Sequence, residues 1–219
     1  MVFRSRRHNP GHRGPSVPTP SDSDSNSKTA LLGCTRRYML TDFLRDQAFA
    51  VAWLSMMAAA WLGWSQEDPK PRLRGALGTG SVLGMLIAIA AGLLVWRNWT
   101  TPTALEGRYW VFGLIVLAEA VLIGVGCIFL ARRGLTRWYG WWIGICVALH
   151  FIPLAWIFED WSYLVLAVVQ VAGLVTMFPP LKRGTYATSR WACPWIALTF
   201  LVFAIASGII LLLRYGYPV

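Results

Sequence analysis

Apolar residues in this chain come in blocks too long for a soluble fold. Residues 46–64, 76–97, 109–131, 138–158, 161–179 and 192–214 each run with scarcely a charge. A helix needs about 20 such residues to cross a ~30 Å hydrocarbon core. Inside that core every backbone N–H and C=O must be satisfied within the helix itself. The blocks are continuous rather than alternating, which argues against a β-barrel. Only 14% of residues are charged, against roughly 25% in soluble domains. The expected fold is all-α: a polytopic membrane helical bundle of about six transmembrane helices over residues 39–219, with the lipid bilayer as its partner.

Residues 1–38 are different. They are rich in Ser, Pro and Arg and show no apolar period. Such a segment cannot offset its ordering entropy, so a disordered basic tail is expected. Arg6-Arg7 resembles a twin-arginine signal, but no hydrophobic segment follows within reach. The "LLGC" box, Leu31–Cys34, is preceded by too short an apolar run for a lipoprotein signal. Met39 opens a compact lead into the first block, so a translation start at Met39 is the second expectation. N-terminal sequencing of the native protein separates the two.

The net charge of +10 would raise nucleic acid as a partner in a soluble chain. Here the basic residues occupy the tail and the loops, so topology explains them and no nucleic acid is expected. Loops 65–75, 132–137 and 180–191 carry Lys70, Arg72, Arg74, Arg132, Arg133, Arg137, Lys182, Arg183 and Arg190. From Met39 onward the opposite side has only Arg45, Arg97, Arg108 and Arg214. The positive-inside rule then puts those three loops in the cytoplasm of a cell-membrane protein, with both termini outside. Counting the tail raises the opposite side to eleven basic residues against nine, which nearly erases the bias. Of the 13 Trp, all but Trp53 lie near the ends of the blocks, where indole prefers the headgroup level.

Cys34, Cys127, Cys146 and Cys193 form no CxxC pair and no Cys/His metal spacing, so no metal or other cofactor is expected. The second block repeats Gly80, Gly84, Ala88 and Gly92 every four residues. Small residues at that spacing let another helix approach closely. The stripe serves either packing within one subunit or the seam of a homo-oligomer. Gly113, Gly124, Gly126 and Gly173 are expected to help the bundle pack.

Three strongly polar side chains interrupt the apolar interior: Glu119, His150 and Gln170. Glu119 lies 13 residues before Arg132, and His150 lies 13 residues after Arg137. At ~1.5 Å per residue both sit ~20 Å from the same loop. Gln170 is ten residues beyond Asp160, hence ~15 Å from the opposite boundary. All three therefore fall near one depth. An ionised glutamate alone in lipid is costly, so pairing with the imidazole is expected. Pro153 lacks an N–H and leaves the Leu149 carbonyl without its helical partner, so a kink is expected one turn from His150. Glu159-Asp160 sits at the membrane surface, where such a pair could bind a cation but more often caps and stops a helix.

The segment "HFIPLA", His150 to Ala155, resembles that of a family of small bacterial multi-pass membrane proteins with an HF[IL]PLA-type segment. The resemblance would cover residues 39–219. It implies about six spans and no particular substrate. Three functions are open at this point. One is binding or moving a proton or small solute at a Glu119–His150 site. Another is a structural or interaction subunit whose polar groups only staple helices. The third is a membrane enzyme acting on lipid, with a headgroup site at Arg132, Arg133 and Arg137. No HExxH, GxSxG or aspartate-rich motif supports catalysis.

Overall fold

A computed structural model describes residues 43–216. The tail, the "LLGC" box and the Met39 start lie outside the described residues. Six long helices form the bundle: α1 (Leu44–Trp64), α2 (Arg74–Arg97), α3 (Tyr109–Arg132), α4 (Tyr139–Ile157), α5 (Trp161–Arg183) and α6 (Ser189–Tyr215). All six are long and apolar enough to cross a membrane. Among the described residues there is no strand. This is an all-α, multi-pass membrane bundle.

The helices do not pack as a closed ring. α1 lies between α2 and α6, α6 also touches α4 and α5, and α3 packs chiefly on α4. Leu54, Phe151, Leu166, Leu174, Ile196 and Phe200 form the middle of the core, drawn from α1, α4, α5 and α6. α2 and α3 are therefore the outer helices. None of the residues of α3 is fully buried.

The stripe on α2 faces α1. A Cβ on Gly84 would come 2.9 Å from the Ser55 carbonyl and 3.4 Å from the Ala59 Cβ. A Cβ on Gly80 would meet Leu62 at 3.0 Å, and Ala88 is buried. Ser81 adds a hydrogen bond to the Ala59 carbonyl at 2.8 Å. The seam is thus made inside the subunit at Gly80, Gly84 and Ala88. Gly92 has no atom within 4 Å of a built Cβ. Gly84→Leu is expected to lower stability in micelles by about 1–3 kcal/mol through overpacking, with Gly92→Leu nearly neutral. Equal losses in the two variants, read by denaturant unfolding, would contradict this packing.

Two tryptophans near helix ends also pack between helices. The Trp142 ring of α4 lies directly on Gly126 of α3, and the Trp195 ring of α6 lies on Gly173 of α5. Both glycines are required by close approach, because a Cβ would enter the indole. Gly113 and Gly124 have no such neighbour. Trp195 donates to the Gln170 carbonyl at 3.3 Å, and Trp141 donates to the Leu174 carbonyl at 2.9 Å. Indole N–H groups thus tie α4 and α6 to the backbone of α5.

Polar contacts lock both ends. At one end, the connection from Asn98 to Arg108 runs from α2 past the first turn of α1 to the end of α4. Asp46 accepts from Thr103 Oγ1 at 3.0 Å and from the Ala104 N–H at 2.6 Å. Arg45 donates to the Trp99 carbonyl, and Arg108 donates to the Ile157 carbonyl at 3.4 Å. Asp160 caps α5, accepting from the Ser162 N–H at 2.9 Å, while Glu159 takes a left-handed φ of 51° in the turn. At the other end, Arg137 donates to the carbonyls of Gly184 and Leu181. Thr188 returns its N–H and hydroxyl to the Arg137 carbonyl at 2.9 and 2.8 Å. Ser189 donates to Glu67 at 2.8 Å, and Lys70 lies 3.9 Å from the Trp191 ring centroid. Loops 65–75, 132–137 and 180–191 therefore share one end of the bundle.

Candidate functional site

Glu119 sits midway along α3. Its neighbours Leu117, Val121 and Leu122 are exposed at 58%, 56% and 47%, whereas its own side chain is 15% exposed. The helix thus turns its apolar faces outward to lipid and its carboxyl inward to α4. His150, at 13% side-chain exposure, meets it there. Nδ1 of His150 is 3.4 Å from Oε1 of Glu119. The imidazole is held from behind by Phe151, whose ring centroid is 4.3 Å away. Phe151 itself packs on Tyr163 and Phe200, so the ring rests against the aromatic core.

The tautomer follows from the neighbours. Nδ1 is 2.7 Å from the Val147 carbonyl, one turn back on the same helix. A bare nitrogen lone pair at that distance would repel the oxygen, and the Glu119 oxygen is the next nearest partner. The proton therefore resides on Nδ1, donated chiefly to Val147 and shared at longer range with Glu119. Nε2 is left as the basic nitrogen. It has no hydrogen-bond partner among the described residues. A proton held at Nε2 would make an imidazolium beside Glu119, so that imidazolium and carboxylate would be charged together. Charging one partner is compensated by the other, which a lone ionisable group in hydrocarbon cannot achieve.

Gln170 does not join this pair. It is fully buried in the α5–α6 seam, where its Nε2 donates to Thr199 Oγ1 at 2.9 Å. Counting residues gives depth, and rotation about the helix sends this amide to a different partner. Pro153 lies within α4, which continues helical to Ile157. The carbonyl it deprives belongs to Leu149, which is 42% exposed and faces away from the core. A groove along α3 and α4 is lined by Leu122, Val125, Gly126, Phe129, Leu130 and Trp142, and neither Glu119 nor His150 belongs to its walls.

The three arginines do not converge on one site. Arg132 and Arg133 are exposed, whereas Arg137 is spent on loop carbonyls. This weakens a lipid-processing centre at those three residues. Cys127, Cys146 and Cys193 are free thiols, and among the described residues no group of three His, Cys, Asp or Glu could hold a metal ion. Residue-level reading of the sequence overlooked Asp46 and Gln47. Gln47 is 1% exposed and donates to the Ser207 carbonyl of α6 at 3.1 Å. Their signal was present in "RDQAF", two polar residues directly ahead of an apolar run. No family profile, curated protein or solved structure matches this chain.

Proposed function

We propose that this chain is a membrane protein that binds and exchanges a proton at the Glu119–His150 pair, alone or coupled to a small solute. The observation that carries the reading is the 3.4 Å approach of Nδ1 to the carboxylate with Nε2 left unpaired. It gives one nitrogen fixed by its hydrogen bonds, one nitrogen open to a proton, and a carboxyl group next to them that can supply the counter-charge. The nine basic residues of loops 65–75, 132–137 and 180–191 support a cytoplasmic side for that end of the bundle.

Infrared difference spectra between mildly acidic and mildly alkaline buffer test the pair. A carboxyl band is expected that disappears in Glu119→Gln and shifts in His150→Ala. A band that ignores His150→Ala contradicts a coupled pair.

A second reading has its own support. The shorter contact of Nδ1 is to its own helix, and Glu119 is the acidic side chain with which α3 meets α4. Polar groups of this kind staple helices by about 0.6–2 kcal/mol. A staple would lose helix association on substitution and show no proton exchange in the native protein.

A further inference from the structure

The groove between α3 and α4 encloses about 490 Å³, within the ~300–1,000 Å³ common for small-molecule sites. It is walled by α3 on one side, and its base is the Trp142 ring seated on Gly126. Leu122, Val125 and Phe129 are 47%, 61% and 55% exposed, so the groove opens sideways into hydrocarbon. Phe129 also reaches the rim, where the Arg133 guanidinium lies 5.2 Å from its ring centroid. Arg133 and its neighbour Arg132 have no hydrogen bond or ion pair among the described residues. Arg137, by contrast, is fully engaged by loop carbonyls. Two cations without a hydrogen bond or ion pair among the described residues therefore stand at the end of a span, above an apolar channel that opens to lipid.

We propose that this groove binds an anionic phospholipid, with an acyl chain along Val125 and Trp142 and the phosphate at Arg133 and Arg132. Charge complementarity selects the occupant. Guanidinium groups form forked hydrogen bonds to phosphate, and basic pockets beside transmembrane helices bind acidic headgroups. A second copy related by a two-fold axis would bring its own Arg132 and Arg133 to the same rim, setting like charges against each other.

The test is native mass spectrometry of the full chain released from nanodiscs of equal dioleoyl phosphatidylglycerol and dioleoyl phosphatidylcholine. The native protein is expected to retain phosphatidylglycerol in preference. Arg133→Gln should lower that preference about fivefold, and Arg132→Gln with Arg133→Gln about thirtyfold, at about fivefold for each charge near an acidic headgroup. Val125→Trp fills the channel without touching the arginines and should also release the lipid. Arg72→Gln with Arg74→Gln, on another loop of the same end, should leave retention unchanged. Retention that survives Val125→Trp, or that falls equally with the Arg72 and Arg74 variant, would mean attraction to the charged surface alone and overturn the site. So would equal retention of the two lipids, or a dimer occupying the groove in place of lipid.

Discussion

Asp46→Ala is expected to lower the unfolding free energy by about 3 kcal/mol, because hydrogen bonds to a charged group contribute about 1.5–3 kcal/mol each. The residue is 8% exposed and accepts from both the hydroxyl of Thr103 and the N–H of Ala104. Removing the carboxylate strands two donors and leaves Arg45, 3.7 Å away, without its counter-ion. Asp46→Asn keeps one good acceptor and should lose about half as much. The local consequence is distinct from the global one. The Asn98–Arg108 connection should become sensitive to trypsin at Arg108 before the helices unfold. Denaturant titration in micelles and timed proteolysis read the two effects. Unchanged cleavage at Arg108 would show that Asp46 does not hold this connection down.

Arg137→Ala should be comparably damaging, by about 3 kcal/mol for two charge-assisted bonds. One guanidinium spans the carbonyls of Leu181 and Gly184, which are left open at the end of α5. The helix ends at Arg183, so its last carbonyls have no donor from a following turn and depend on outside donors. Arg137→Lys presents a point charge rather than a planar fork and should recover less than half of the loss. Full recovery with lysine, measured by the same unfolding titration, would reduce the contact to simple charge attraction.

The length of the helices was legible because hydrocarbon thickness sets it, and each apolar block of the sequence corresponds to one helix. The end of α5 was not. The apolar block was read to 179, yet the helix continues to Arg183, where Leu181 is buried and Arg137 holds its carbonyl. Depth could be counted and rotation could not. The same arithmetic put Glu119, His150 and Gln170 at one level, but only packing assigns Gln170 to Thr199 and Glu119 to the side of α4. Trp142 and Trp195 read as interfacial from their positions. Their partners Gly126 and Gly173 belong to other helices, and no local pattern joins them. Asp46 was hidden for the same reason, since its partners lie 57 and 58 residues away.

Proton flux through reconstituted protein tests the Glu119–His150 pair most directly. The measurement is the decay of an imposed pH gradient across liposomes containing native protein, Glu119→Gln or His150→Ala, each checked for folding by its unfolding transition. Native protein is expected to dissipate the gradient, and both variants to do so about a hundredfold more slowly, the scale on which positioned proton-transfer groups act. Folded variants that match the native rate, or a native protein that leaves the gradient standing, would contradict this expectation and leave the pair as a staple between α3 and α4.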